Sequence, residues 1–317
     1  MNIKISKLKN RLITIIRRIV QIIAFLLINY IILEIIFTIN LLSLEGITKF
    51  LPVLNSPRNG FSTGAGFLEY ILFFIIEGIF PFLLLGFLIL VLLFTNRFFC
   101  GWICPIGTIQ DACAAIPTKK KTVKISEGIF NHNSLLKIKY AIVVLLLIIL
   151  VPLGLIKSAN PDFYADFRAN LGDLARKPMG YFSLSEYIFY FFPIKIKEMV
   201  KDGSLAPLFS DLITFSIFFF YLILITLSIW YPRIYCRYFC PFGAVAATMS
   251  EYSFLKLSRS PVRCVGRAEC GICEKVCPKQ IRILDEPFEF FTGKGECNLC
   301  LRCKEDCPYK AISIKFG

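Results

Sequence analysis

The sequence predicts an α-helical protein with several membrane-spanning helices, followed by a small α+β domain at the C-terminal end. Three observations support this prediction. The first 256 residues contain four long apolar stretches, 56% of the chain is hydrophobic, and eight of its 13 cysteines lie at or after Cys264. We therefore expect two domains: a four-helix membrane region at residues 1–256 and a compact cysteine-rich domain at residues 257–317.

Four apolar stretches are long enough to cross a bilayer, which takes about 20 residues of α-helix. They are approximately Ile13–Leu41, Phe67–Phe94, Tyr140–Ile156 and Leu212–Tyr231. We expect the first to be a retained span rather than a cleaved signal peptide, because its apolar core is too long and no small-residue cleavage site follows it.

The charge distribution predicts that both termini of this multi-pass protein lie in the cytoplasm, because Lys and Arg are retained on that side of the inner membrane. The loop 42–66 carries two of these residues, whereas the loop 95–139 carries seven. All 13 cysteines fall in segments that this topology places inside, where thiols stay reduced. The net charge of +14 is then explained by membrane orientation and lipid contact, and no motif points to nucleic acid as a partner.

The C-terminal cysteines form two groups of four, each ending in Cys-Pro. They are Cys264, Cys270, Cys273 and Cys277, and then Cys297, Cys300, Cys303 and Cys307. The second group has the C-x2-C-x2-C-x3-C-P spacing of a bacterial ferredoxin with two [4Fe–4S] clusters. Paired C-x2-C runs also occur in structural zinc sites, which are the alternative.

In ferredoxins of this type the fourth cysteine of each run ligates the other cluster. The spacing therefore predicts a bacterial-ferredoxin-like fold with two ligand sets. Cys264, Cys270, Cys273 and Cys307 would hold one cluster, and Cys297, Cys300, Cys303 and Cys277 would hold the other. The first run departs from the pattern, because five residues separate Cys264 from Cys270. Two consequences are open: a shifted potential of that cluster, or a looser ligand at Cys264.

The membrane region contains an internal two-fold repeat. The segment Arg97-Phe-Phe-Cys100-Gly-Trp-Ile-Cys104-Pro follows the second span, and Arg233-Ile-Tyr-Cys236-Arg-Tyr-Phe-Cys240-Pro follows the fourth. Cysteines four residues apart on a helix share one face, so a two-fold arrangement would bring four thiolates together at the inner membrane surface. A third iron–sulfur cluster, a set of redox-active thiols and buried structural cysteines are all compatible with this pattern. Cys113 has no counterpart in the repeat and is interpreted as a free core thiol.

These motifs resemble those of the NapH-type membrane quinol dehydrogenases. The resemblance covers nearly the whole chain and rests on the four spans, the two C-x3-C-P elements, the C-terminal cluster motifs and the segment 276–286. The same plan is shared with the C-terminal region of NosR, with MauN and with the CcoG/FixG proteins. The sequence contains neither the flavin domain of NosR nor the immunoglobulin-like domain of CcoG, which favours the NapH type.

The resemblance implies that the protein oxidises quinol and passes electrons to other electron-transfer subunits, such as a ferredoxin-type subunit or a cytochrome c. The alternatives are an assembly factor that reduces a metal or thiol of a client enzyme, and a redox-dependent regulator. The sequence assigns no catalytic residue. Glu34, Glu69, Glu77 and His132 are titratable groups without an assigned role, although charges within spans are usually functional.

Aromatic residues flank the C-x3-C-P elements and could form the flat apolar walls of a quinone pocket. An aromatic belt at the membrane interface is the alternative interpretation. These residues are Phe98, Phe99, Trp102, Tyr235, Tyr238 and Phe239.

Overall fold

The computed structural model describes residues 11–28, 67–116, 129–171, 182–184, 187–203 and 212–317. Helices account for most of these residues up to Ser250, and the two strands of the described chain follow. Residues 29–41 of the first predicted span, including Glu34, lie outside the described residues.

The first part of the membrane region contains five described helices. They are α1 (Leu12–Ile28), α2 (Phe67–Ile76), α3 (Phe82–Thr95), α4 (Phe98–Trp102) and α5 (Pro105–Cys113). Helix α5 begins at Pro105 because proline suits the first helical turn, where its missing N–H would have no helical partner.

The second part of the membrane region ends in a similar series of elements. Its helices are α6 (Ile129–Ala159), α7 (Pro161–Leu171), α8 (Phe192–Asp202), α9 (Leu212–Trp230), α10 (Ile234–Tyr238) and α11 (Pro241–Ser250), with a π-helical turn at Tyr187–Phe191. An apolar helix, a five-residue helix and a helix that begins with proline thus occur in this order twice, as α3–α4–α5 and as α9–α10–α11.

Among the described residues, one helix is long and apolar enough to cross a membrane by length and composition. It covers His132–Lys157 within α6 and includes the third predicted span. Shorter apolar helices occupy parts of the second and fourth predicted spans. Many of their large apolar side chains are exposed; Leu83, for example, is 83% exposed.

The helix over the second predicted span, Phe67–Phe94, is broken. Helix α2 ends at Ile76, and α3 begins only at Phe82. Gly78 between them has a φ of +74°, which glycine adopts without strain. Pro81 has no N–H to continue the helical hydrogen bonds.

Helix α6 packs closely against this break. A methyl group at Gly154 would overlap the carbonyl oxygen of Ile75, so only glycine permits the approach. The Lys157 ammonium donates to the Glu77 carboxylate at 2.6 Å and to the Glu77 carbonyl oxygen at 3.1 Å. Glu77 is thus paired with another helix.

The C-terminal domain combines a two-stranded sheet with short helices. Strand β1 (Leu255–Arg259) pairs antiparallel with β2 (Ile312–Phe316). The elements between them are α12 (Gly266–Glu269), α13 (Ile272–Lys275), a 3-10 turn (Ile283–Asp285) and α14 (Arg302–Glu305). The sheet begins two residues before the predicted boundary at residue 257.

The C-terminal domain packs directly against the first C-x3-C-P element. The indole N–H of Trp102 donates to the Leu299 carbonyl oxygen at 2.9 Å. Gly101 is so close to Asn298 that a methyl group at position 101 would overlap the Asn298 carbonyl oxygen. The segment that follows Cys297 therefore lies against the first C-x3-C-P element.

The beginning of α1 also contacts the C-terminal domain. The Glu305 carboxylate accepts hydrogen bonds from the Thr14 hydroxyl and from the Thr14 N–H, the latter at 3.0 Å. A carboxylate at this position satisfies a backbone donor of the first turn and interacts favourably with the helix dipole. This contact connects α1 to the segment between Cys303 and Cys307.

Candidate metal centres

Four cysteines of the C-terminal domain surround a cavity with about 350 Å³ of empty space. They are Cys264, Cys270, Cys273 and Cys307. Cys273 is buried, and the other three are half-buried. Arg259 also lines the cavity, with its Nη1 3.7 Å from the Cys264 sulfur. We call this cavity the distal site.

The other four C-terminal cysteines surround a second cavity, with about 340 Å³ of empty space. They are Cys277, Cys297, Cys300 and Cys303, and all four are buried. Asn298 also lines this cavity, and its backbone contacts Gly101 of the membrane region. We call this cavity the proximal site, because it is adjacent to the C-x3-C-P elements.

Each site takes three cysteines from one run and one from the other. Cys307 completes the distal site, and Cys277 completes the proximal site. The structure therefore brings together the two sets of four that the spacing predicts, including Cys264 despite its wide separation from Cys270.

Residues with positive φ lie within both cysteine runs. Gly271 has a φ of +60°, and the corresponding Leu301 has a φ of +59°. Leu299 also has a positive φ, of +48°. Positive φ is rare and strained for a side chain as bulky as leucine, and such residues concentrate at functional sites.

Burial disfavours the thiolate form of several thiols of these sites when nothing is bound. Burial raises the pKa of Cys273 and of Cys277 to about 11, and that of Cys297 to about 12. Bound metal reverses this preference, because a coordinating thiol is deprotonated outright. Four converging thiols form a soft donor set that suits iron–sulfur clusters.

No group of three or more His, Cys, Asp or Glu side chains in the described part of the chain could hold a single metal ion. The eight C-terminal cysteines instead converge in two sets of four, around the distal and the proximal cavities.

The C-x3-C-P cysteines of the two halves also come together. Cys100 lies in α4 and Cys236 in α10, whereas Cys104 and Cys240 directly precede α5 and α11. The helix ends between the two cysteines of each element, which corrects the expectation that each pair shares one helix face. The four thiols are nevertheless close enough to influence one another's ionisation. We call them the four-thiol layer.

Hydrogen-bond donors point at sulfurs of the four-thiol layer. The Gly243 N–H donates to the Cys240 sulfur at 3.3 Å, and the Gly107 N–H donates to Cys104 in the corresponding way. The Gln110 amide donates to the Cys236 sulfur at 3.0 Å. Thiols that precede a helix and accept from its first turn are well placed to carry negative charge.

Burial raises the pKa of Cys104 well above its usual value and that of Cys240 to about 12, and nearby thiols add to both shifts. Burial likewise raises the pKa of Cys236. Reactive dithiols need the opposite shift, because the thiolate is the nucleophile. Cys113, whose pKa is also raised by burial, is not among the thiols of the layer.

A buried ion cluster joins the membrane region to the proximal site. The Glu296 carboxylate, next to Cys297, binds Lys139, Arg97 at 2.9 Å and Lys279 at 3.8 Å. Burial opposes ionisation of Glu296, but these three cations outweigh it and lower its pKa to about 2. Lys279 also donates to the carbonyl oxygen of Cys236 at 2.8 Å.

A second buried ion cluster surrounds Asp111 in α5. Arg233 donates to both of its carboxylate oxygens at 2.8 Å. Arg17 of α1 lies 3.4 Å from the same carboxylate, and Arg18 lies 3.2 Å from it. Arg233 also donates to the Cys100 carbonyl oxygen at 3.0 Å, so this cluster positions the four-thiol layer.

The sequence pattern includes Arg97 and Arg233 but does not reveal their partners, Glu296 and Asp111. The sequence gives only a weak indication that Glu296 and Asp111 are these partners. Glu296 precedes a predicted ligand, and Asp111 follows a cysteine motif by one helical turn or two. Charged residues at such positions are common on surfaces, so only their burial, at 9% and 4% exposure, identifies the role.

The aromatic residues predicted to line one pocket lie on different sides of the four-thiol layer. Trp102 stacks on Phe98 and faces the C-terminal domain. Tyr235 donates to the Phe182 carbonyl oxygen at 2.8 Å, and Phe239 contacts Phe220 edge-on. The described residues therefore do not form a single pocket that is lined by all six aromatic side chains.

The remaining candidates are in polar or buried surroundings. His132, to which the sequence assigns no role, lies 2.9 Å from the Tyr238 hydroxyl and 3.2 Å from Arg237. Glu69 is buried at 7% exposure in α2. Neither residue lines the distal or proximal cavity.

A 4Fe–4S binding domain family, Fer4_5, matches the chain twice, over residues 77–124 and 212–259. The first match contains Cys100 and Cys104, and the second contains Cys236 and Cys240. The chain therefore carries two segments of 4Fe–4S binding type, and both contribute to the four-thiol layer. The eight C-terminal cysteines lie outside these matches.

Curated relatives are about a quarter identical to the chain over the aligned residues. The uncharacterized protein MJ0750 of Methanocaldococcus jannaschii is 27% identical over 73% of this chain and 76% of its own length. The putative electron transport protein YccM of Escherichia coli is 27% identical over 74% of this chain and 55% of its own length.

The regulatory protein NosR of Stutzerimonas stutzeri is 22% identical over 68% of this chain. The chain spans about half of YccM and 24% of NosR. No solved structure matches the chain. The chain is thus similar to electron-transport and regulatory proteins.

Proposed function

We propose that the chain is a multi-pass membrane electron-transfer protein of the NapH type that binds three iron–sulfur clusters. The observation that carries this proposal is the convergence of twelve cysteines into three adjacent sets of four. When bound, such clusters supply one-electron transfer. The residues of this chain determine where the clusters lie and in what order.

The ligands proposed for the two ferredoxin-like clusters are the cysteines of the distal and proximal sites. The proposed ligands of the third are Cys100, Cys104, Cys236 and Cys240. The two 4Fe–4S binding matches support the third assignment, because they cover these four cysteines.

Contacts between the sets support a linear order from the four-thiol layer to the proximal site and then to the distal site. Gly101 follows Cys100 and touches Asn298, which lines the proximal cavity. Cys273 of the distal site is in turn close enough to Cys303 to affect its ionisation. The distal cysteines are less buried than the proximal ones, so a partner subunit would exchange electrons more readily at the distal site than at the proximal site.

The exposed apolar surface of α3, α6 and α9 supports a location in the membrane. Leu83, Ile148 and Ile223 are each more than half exposed, and a bilayer would cover them. We propose that both termini are cytoplasmic, which places the two C-terminal sites on the reducing side.

Quinol is the proposed electron donor. The four-thiol layer lies directly after the apolar helices α3 and α9, so a lipid-soluble donor could approach it from the bilayer. The second candidate function is redox-dependent regulation, which the similarity to a regulatory protein favours. An assembly factor remains the further alternative from the sequence.

Iron content and reduction by quinol test the proposal together. Protein purified without oxygen should contain about twelve irons, four for each cubane. The double variant Cys100→Ser/Cys236→Ser should lose about four of them, whereas Cys113→Ser, which alters a cysteine outside all three sets, should lose none. Unchanged iron in the double variant would exclude the third cluster.

A reduced menaquinol analogue, mixed anaerobically with the intact protein, should bleach the cluster absorbance near about 400 nm. The double variant should react far more slowly, because it lacks the layer nearest the bilayer. Reduction by dithionite but not by the quinol, with partner subunits present, would reject quinol as the donor and favour the assembly or regulatory function.

A further inference from the structure

Buried nitrogen donors without partners border all three cysteine sets. Seven side-chain nitrogen atoms in the described residues are buried and have no hydrogen-bond partner there. They belong to five residues, which are Arg17, Arg97, Arg237, Arg259 and Asn298. Leaving a buried donor unpaired is costly, so each one points to an acceptor that the polypeptide does not supply.

Three of these residues either line the proximal cavity or lie close enough to its cysteines to interact with them electrostatically. Asn298 lines its cavity, and the Nδ2 of Asn298 has no partner among the described residues. Arg17 interacts electrostatically with Cys300, and Arg237 interacts with Cys277. The distal cavity has one such residue, Arg259.

Arg237 is the most informative of the five. It is fully buried, and its Nη2 donates to the Tyr238 hydroxyl and to Gln280 Oε1, both at 2.7 Å. Its Nε and Nη1 have no partner, and no carboxylate pairs with it among the described residues. Gln280 follows Cys277 by three residues, so the guanidinium lies between the four-thiol layer and the proximal site.

We propose that Arg237, assisted by Arg17 and Asn298, donates hydrogen bonds to the cluster of the proximal site and raises its reduction potential above that of the distal cluster. This proposal rests on the proposed function, because it requires that the cluster binds. Reduction adds one negative charge to the cluster. Burial opposes this charge, whereas nearby N–H donors and a buried positive charge stabilise it.

The substitution Arg237→Gln in the full-length protein tests the proposal. The measurement is an anaerobic potentiometric titration followed by EPR, with the proximal signal identified by its loss in Cys300→Ser. We expect the equilibrium constant for reduction of the proximal cluster to fall about tenfold, which is about 59 mV for one electron. The distal signal should keep its potential.

Arg302→Gln is the matched control. It removes the same charge beside Cys303, which belongs to the same site. Arg302 is partly exposed, however, and is not one of the described residues with a buried nitrogen donor that lacks a partner. Solvent screens such a charge, so its removal should change the equilibrium constant by less than about threefold.

An Arg237→Gln protein with full iron and an unchanged proximal potential would overturn the proposal, as would an equal shift in Arg302→Gln. If the Arg237→Gln protein loses iron, the Asn298→Ala variant is titrated in its place. An unshifted proximal potential in Asn298→Ala then counts against the proposal. Absence of C-terminal iron from the wild-type protein would instead reject the proposed function.

Discussion

Glu296 provides the most direct test of how the C-terminal domain is attached to the membrane region. Its carboxylate contacts Lys139, Arg97 and Lys279. The side chains of these three cations are at most 2% exposed, and that of Glu296 is 11% exposed. The substitution Glu296→Gln retains the shape of the side chain but leaves three buried cations without this carboxylate.

Removing one partner of a buried ion pair costs about 3–5 kcal/mol, because the remaining charge is left uncompensated. Since each 1.4 kcal/mol is a factor of ten, the contact should open roughly 100 to 4,000 times more often in the variant. Hydrogen exchange at the amides of residues 295–299 measures this opening under native conditions.

The matched control is Glu274→Gln in the same domain. Its carboxylate binds Arg267 at 2.9 Å, but the Arg267 side chain is half exposed. Exposed ion pairs contribute about 0–1 kcal/mol, so exchange at residues 295–299 should remain close to that of the wild type. Equal protection in Glu296→Gln and in the wild type would refute the argument that this ion cluster attaches the domain.

The same carboxylate predicts a pH dependence. The pKa of Glu296 is about 2 in the folded protein, below the value of about 4.3 for an exposed glutamate. Its stabilising contribution is therefore complete above about pH 4.3 and is lost as the pH falls toward 2. Protection of residues 295–299 from hydrogen exchange should decline over this pH interval in the wild type. The Glu296→Gln variant should not show this pH-dependent decline.

Two further predictions concern packing and topology. Gly101→Ala should displace the C-terminal domain and lower the iron content of the proximal site, because the added methyl group would overlap the Asn298 carbonyl oxygen. The control is Gly86→Ala, whose methyl group would meet no atom within 4 Å and which should retain full iron content and stability. A membrane-impermeant thiol reagent applied to whole cells should label no cysteine of the wild-type protein, and labelling of Cys264 from outside would reverse the proposed orientation.

Local spacing was sufficient to predict which C-terminal cysteines gather at each site. Short runs such as Cys297–Cys303 confine three thiols to one loop, whatever surrounds them, and the fourth must come from elsewhere in the domain. Composition similarly indicated the apolar segments, because the energy of crossing a bilayer depends on the summed hydropathy of about 20 residues. Both are properties of short stretches of chain.

The tertiary structure alone decided the arrangements that depend on residues far apart in sequence. The packing of α6 against the break between Ile76 and Phe82 brings Gly154 next to Ile75, more than 70 residues earlier in the chain. Glu296 binds Arg97 from 199 positions away, and their burial converts two ordinary charges into the link between the domains. Electrostatic energy is set by spatial proximity and by exclusion of water, so spacing along the chain could predict neither these pairs nor the unpaired donors of Arg237.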